Sequence, residues 1–356
     1  MADQIKLGIV GTGRMASRMM QALATVPEFA VQGVASGSGE RARAFAEAFG
    51  IPHNCASAAE LAGNADVDAV YICGRSGNHT ADALAAIEAG KPTLLEKPLA
   101  TGIEDATRLT DAARGAKILL LENLWCLALP TYRRLSEGLN SQSYGKAVQL
   151  QFSFGYPVTP QAYPSLFDPT DGGALLDRGV YGVSLALHLL GPVNRVQASA
   201  QLNGDGVDLT TDINLEHYSG ATSQISVSLN ALMSNTATLS CTHGSMQLGA
   251  PVVGSESFLG QQMTPESGAP SDGIHVPSAG LKDRLKANRV LRKLKRLKDA
   301  SAAQFLPHGA DQYAPMLTHF RDLIRQGLSE SALVPLELSL NTQGVLAEAR
   351  QQIKGT

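Results

Sequence analysis

Ile5-Lys6-Leu7-Gly8-Ile9-Val10-Gly11-Thr12-Gly13-Arg14-Met15-Ala16 decides how the first part of this chain folds. Ile5 to Val10 is apolar and β-branched, which predicts a buried strand. A glycine turn follows, and the pattern is then helical through Ala24. Strand, glycine turn and helix together make the GxGxxG/A spacing informative. Gly11 permits a tight turn, Gly13 lets a pyrophosphate approach the backbone, and Ala16 keeps helix and strand close. The helix start offers unpaired N–H groups and a positive dipole end to phosphates. Thr12, Arg14 and Met15 share this loop and are candidate cofactor contacts with it. A tight βα turn without a ligand is the plainer alternative.

Outward from this unit, strand and helix patterns alternate. The second strand, Ala30 to Ala35, ends at Ser36-Gly37-Ser38-Gly39-Glu40-Arg41. An NAD site usually places Asp or Glu there to hold the ribose diol. A hydroxyl at Ser36, an open Gly37 and a guanidinium at Arg41 suit the 2′-phosphate of NADP better, although NAD is not excluded. Asp68 to Cys73 is a further strand, followed by the loop Gly74-Arg75-Ser76-Gly77-Asn78-His79 and a helix to Ala89. Leu94-Leu95-Glu96-Lys97-Pro98-Leu99-Ala100 is a short strand that stops at a charged pair and a proline. It sets Lys97 at the carboxyl edge, where parallel sheets bind ligands; a solvated lysine at a strand end is the alternative. A helix from Gly102 to Arg114 and a strand from Ile118 to Glu122 complete a doubly wound parallel sheet over 1–125.

From Val148 the strands alternate apolar and polar residues, which predicts a mostly antiparallel open sheet within 126–356, one face covering the cofactor domain. The segment Asp171-Gly172-Gly173-Ala174-Leu175-Leu176-Asp177-Arg178-Gly179-Val180-Tyr181 interrupts them and opens a helix to Leu190. Asp177 and Tyr181 are one helical turn apart and share a face. Trp125 and Phe154 are candidate walls of a substrate pocket. Pro251 to Pro277 is rich in Gly, Ser and Pro and is expected to be a loop, part of an insertion over 251–307. The basic stretch Leu281 to Asp299 fits a solvated amphipathic helix.

The bulk properties narrow the class. The chain has 356 residues, enough for two domains, and 44% of them are hydrophobic. A net charge of -3 gives no pull toward nucleic acid. Four scattered cysteines, with no CxxC pair, point to a reduced cytoplasmic protein without a metal. No apolar run is long enough for a membrane span.

The glycine loop at Gly11–Ala16, Glu96-Lys97-Pro98 and the Gly172–Tyr181 segment occur in the order and spacing of one family. The chain resembles the Gfo/Idh/MocA oxidoreductases over roughly residues 5 to 250, and again near Tyr313. The resemblance implies an α/β fold: an N-terminal Rossmann dinucleotide-binding domain and a C-terminal α/β domain with an open sheet. Tyr181, where most of the family has His, and Glu122-Asn123-Leu124-Trp125 are similar to the dihydrodiol dehydrogenase and glucose–fructose oxidoreductase branch. That branch implies Lys97 and Tyr181 as catalytic pair, with Asp177 placing substrate and lysine. Gly74, His79 and Glu96 stand at cofactor positions, although Gly74-Arg75-Ser76 departs from the usual Thr-Pro-Asn. Leu127 replaces the arginine common in dihydrodiol dehydrogenases, so a dihydrodiol substrate is not implied.

The expected activity is NADP-dependent hydride transfer between nicotinamide and a secondary alcohol or sugar hydroxyl. Lys97 is expected to bond the reacting oxygen and to lower the pKa of Tyr181. A homodimer or homotetramer through the C-terminal sheet is expected. Two other classes fit the same residues: a glycoside-cleaving enzyme with tightly held cofactor, working by oxidation, elimination and reduction, and a non-catalytic cofactor-binding sensor.

Overall fold

The computed structural model describes residues 4–263 and 303–355. The first sheet forms from short runs that are wholly buried in its centre and less so at β2 and β3. Its strands are β1 (Ile5–Val10), β2 (Phe29–Ala35), β3 (His53–Cys55), β4 (Ala69–Ile72), β5 (Thr93–Leu95) and β6 (Leu120–Glu122). They pair in parallel in the order β3-β2-β1-β4-β5-β6. The order reverses between β1 and β4, and such a switch point opens a crevice at the carboxyl ends of the strands. Helices α1 (Arg14–Leu23), α2 (Gly39–Phe49), α3 (Ala58–Gly63), α4 (His79–Glu88) and α5 (Ile103–Ala116) connect the strands.

α6 (Pro130–Asn140) leads to the second sheet, and α7 (Val180–Leu190) follows its first strand. That sheet contains β7 (Ala147–Gly155), β8 (Val193–Leu202), β9 (Asp208–His217), β10 (Thr222–Ser228), β11 (Ala237–Cys241), β12 (Gly244–Leu248), β13 (Ser257–Gln262) and β14 (Gln304–Phe305). The order is β14-β13-β12-β11-β7-β10-β9-β8, antiparallel except for β10 on β7. The long closing helices are α8 (Ala314–Arg325) and α9 (Leu336–Lys354).

Two expectations change here. Ser257–Gln262 is a strand, not loop: its Phe258 is buried and pairs with Leu248 of β12. Neighbouring glycines and prolines mask it in the sequence, because only strand pairing reveals which residues are covered. The second sheet also does not lie directly on the cofactor domain. α6, α7 and α9 cover its inner face, and α9 packs in turn against α5 and β6. The basic stretch 281–299 lies outside the described residues. Among the described residues, no helix is long and apolar enough to cross a membrane, and no group of three or more His, Cys, Asp or Glu side chains is arranged to hold a metal ion.

Candidate active site

The glycine loop is built as its spacing requires. Gly11 has φ +116°, and a Cβ there would lie 2.9 Å from the Cys73 carbonyl carbon and the Gly74 nitrogen, so only glycine fits. Gly13 and Gly37 face open space, which leaves the backbone accessible to a dinucleotide. Ser36 is buried at the end of β2 and accepts from the Thr12 hydroxyl at 3.4 Å. Arg41 is exposed on the first turn of α2, where the Ser38 hydroxyl caps its backbone N–H. Met15 is half-buried and packs against the core. Arg14 stacks over the Tyr163 ring at 4.4 Å, so its guanidinium is engaged by the second half of the chain. These residues fit a phosphate-bearing dinucleotide.

Glu96-Lys97-Pro98 follows β5 with a cis Lys97–Pro98 bond. The Glu96 carboxylate turns inward and accepts from Tyr71 Oη at 2.7 Å and Asn123 Nδ2 at 2.6 Å. Burial pushes its pKa up, and these donors hold it back. Lys97 points the other way. Its ammonium donates to Asp177 Oδ1 at 2.7 Å and to the Asp177 carbonyl at 2.8 Å. The same ammonium lies 5.1 Å from the Tyr181 ring centroid.

Asp177 and Tyr181 meet Lys97 because the chain enters α7 through a π-helical turn, Leu175–Gly179. Such turns often mark functional sites. Burial alone raises the Asp177 pKa, but Lys97, with help from Arg178 at 3.7 Å, outweighs it and leaves the carboxyl below its usual value. The Tyr181 hydroxyl accepts from the Trp125 indole N–H at 3.2 Å. Phe154 and Trp125 both meet the Tyr181 ring edge-on, with centroids 6.0 and 6.4 Å away.

One electrostatic expectation is corrected. The Tyr181 pKa is raised well above 10, not lowered. Burial is the main cause, and the Lys97 charge is already matched by Asp177. At neutral pH the phenol therefore carries its proton. His79 is also placed differently from a cleft residue. It is 1% exposed and its Nδ1–H donates to the Pro98 carbonyl at 2.9 Å, beneath the Lys97 turn. Burial lowers its pKa, so the ring is neutral and buried Nε2 has no partner.

Sequence reading missed several neighbours of this cluster. Tyr313, at the start of α8, packs on Trp125 at 4.6 Å. Arg75, in the divergent loop after β4, binds Asp168 at 2.6 Å and Asp171 at 3.1 Å. Arg350 of α9 donates to the Pro169 and Thr170 carbonyls. With Arg14 on Tyr163, these contacts tie segment 163–171 across the mouth of the dinucleotide crevice. No local pattern signals them, since each joins residues far apart in the chain.

Residues 5–123 match the model of an oxidoreductase family with an NAD-binding Rossmann fold, and residues 132–247 match the Gfo/Idh/MocA C-terminal domain. The chain belongs to the Gfo/Idh/MocA oxidoreductase family. Similar members include the trans-1,2-dihydrobenzene-1,2-diol dehydrogenase of Mus musculus, 27% identical over 98% of this chain and 97% of that protein. The dTDP-3,4-didehydro-2,6-dideoxy-alpha-D-glucose 3-reductase of Saccharopolyspora spinosa is 33% identical over 63% of this chain and 68% of that protein. Among solved structures, a 3-ketoreductase from Actinomadura kijaniata in complex with NADP and TDP-benzene superposes with a TM-score of 0.75. It is 24% identical and the match covers 99% of this chain and 98% of that one. Family members of this kind are dehydrogenases and reductases of hydroxyl and keto groups, and this Gfo/Idh/MocA protein is an oxidoreductase of that class.

Proposed function

We propose that this protein is an NADP-preferring oxidoreductase that interconverts a secondary alcohol, such as a sugar hydroxyl, and the corresponding carbonyl. The observation that carries this reading is the convergence of the Lys97 ammonium, the Asp177 carboxylate and Tyr181 beside a dinucleotide-type crevice. Gly11, Thr12, Gly13, Ser36, Gly37, Arg41 and Gly74 hold the cofactor, with Glu96 and His79 bracing its edge. Residues 1–125 form the cofactor domain and 126–356 the substrate domain. When bound, nicotinamide supplies the hydride acceptor or donor.

The chain's own residues handle the oxygen and its proton. Lys97 bonds the substrate oxygen and offsets the negative charge that develops on it during reduction. Tyr181 is protonated in this environment, so it is ready to act as the general acid toward a carbonyl. In oxidation the proton runs back to Tyr181, assisted by Lys97 and the Trp125 N–H. Asp177 holds Lys97 in place. Trp125 and Phe154 wall the substrate side, and Tyr313 backs Trp125.

The four cysteines are free, which supports a reducing compartment such as the cytoplasm. The outer face of the second sheet, with Gln151, Asp212 and Gln224 exposed on it, is the surface we assign to a homodimer or homotetramer contact.

A panel of sugars, polyols and dihydrodiols, and of the matching ketones, with NADP(H) and NAD(H), followed at the nicotinamide absorbance, tests the function. Turnover with NADP(H) preferred is expected. Cofactor binding with no turnover of any member supports a sensor. Cleavage of a glycoside without release of reduced cofactor supports the oxidation–elimination–reduction route.

A further inference from the structure

The turn that aims Lys97 has polar backbone groups with nowhere in the sheet to go. β5 ends at Leu95, and Pro98 brings no N–H of its own. Three buried side chains take up three of these groups. Glu96 Oε2 accepts from the Lys97 N–H at 3.3 Å. His79 donates to the Pro98 carbonyl at 2.9 Å. Glu122, at the end of β6, accepts from the Leu99 N–H at 2.8 Å through Oε1. Glu122 is 0% exposed, so this bond has no water to replace it.

Behind Glu122 lies α9. Its Ser339 hydroxyl faces the carboxylate without closing a well-formed bond to Oε2. Ser339 and Thr342 are fully buried beside Leu336, and α9 packs along both β6 and α5. Glu122 therefore sits between the closing helix and the lysine turn, and among the described residues its carboxylate makes no hydrogen bond or ion pair with Lys97 Nζ or Tyr181.

We propose that Glu122 is a positioning residue: by holding the Leu99 amide it fixes the Lys97 turn, and so sets where the lysine ammonium meets the reacting oxygen. This rests on the reading of Lys97 as the residue that bonds that oxygen. A misplacement of about 1 Å at a reacting group costs on the order of a hundredfold in rate. A purely structural role for Glu122 would weaken folding and leave kcat per folded molecule unchanged.

The test uses the full-length enzyme with NADP and the alcohol oxidised fastest in the panel above. Glu122→Met keeps volume and removes the acceptor. Its kcat should fall by about a hundredfold while the KM for NADP changes less than about threefold. Glu122→Gln keeps an acceptor for Leu99 and should recover most of that loss. In a Lys97→Met background, Glu122→Met should cost less than about threefold more, because the group it positions is gone. Should Glu122→Met fail to fold, the wild-type enzyme decides: its Leu99 amide should be protected from hydrogen exchange, as a buried amide held by an acceptor is. A fully active Glu122→Met beside an inactive Lys97→Met overturns the proposal alone. So does exchange of the wild-type Leu99 amide at the rate of an open, unbonded amide. Wild-type kcat in Lys97→Met overturns the parent reading and this one with it.

Discussion

The Trp125 indole N–H donates to the Tyr181 hydroxyl at 3.2 Å, which fixes the phenol oxygen from behind and leaves its own proton free for another acceptor. Trp125→Phe keeps an aromatic wall and deletes the donor. A hydrogen bond of this kind is worth about 1 kcal/mol, so kcat should fall roughly fivefold with KM little changed. Because the indole favours the phenolate, the basic limb of the pH–rate profile should also move to higher pH. An unmoved profile would remove Trp125 from the proton chemistry.

Lys97 and Tyr181 are predicted to act as a unit. Tyr181→Phe should lower kcat by about 10²- to 10⁴-fold, the usual worth of general acid–base catalysis, and leave binding intact. Lys97→Met should cost as much or more, since it also strands the Asp177 carboxylate it now pairs with. The double variant should be little worse than Lys97→Met alone. Losses that multiply would mean the two act separately, and near-normal kcat in Tyr181→Phe would falsify the tyrosine role.

Arg41 is predicted to select the cofactor. It is exposed at the start of α2, close in sequence to Ser36 at the end of β2. Arg41→Ala should weaken NADP by roughly tenfold to a hundredfold, the cost of losing a charge-assisted contact of about 1.5–3 kcal/mol, and leave NAD nearly unchanged. Binding titrations with both cofactors, followed through the single tryptophan, measure this. Equal loss for NAD and NADP would place Arg41 elsewhere.

Glu122 should also leave a mark on stability. Burial is the main cause that pushes its pKa from 4.5 up to about 7; the Ser339 hydroxyl, the Leu99 N–H and the Lys97 charge oppose that rise, while the Glu96 charge adds to it. A carboxyl whose pKa is higher folded than unfolded binds extra protons in the folded state between those two values. Its contribution is fullest below pH 4.5 and is lost as pH rises through about 7. Glu122→Gln cannot ionise, so its stability relative to wild type should improve by up to roughly 3 kcal/mol across that window. Urea unfolding at several pH values measures the difference. A difference that does not change with pH would show that Glu122 ionises as freely folded as unfolded.

The sequence by itself determined the parts whose chemistry is local. The run Ile5–Ala16 needs only its own residues to make a strand, a glycine turn and a helix, and Gly11 adopts the positive φ that its place demands. The stop of β5 just before Glu96 and Lys97 and the four-residue spacing of Asp177 and Tyr181 were legible for the same reason. What the tertiary structure decided depends on burial and on partners distant in the chain. β13 exists because β12 covers it. Tyr313 reaches Trp125, Arg75 reaches Asp168, and Glu122 reaches Leu99 only once the two sheets and α9 are assembled. The protonation of Tyr181 followed the same rule. Proximity to a lysine suggested a lowered pKa, but desolvation, a product of packing, sets the opposite sign, and the neighbouring Tyr313, Glu96, Cys126 and Asp177 add to it.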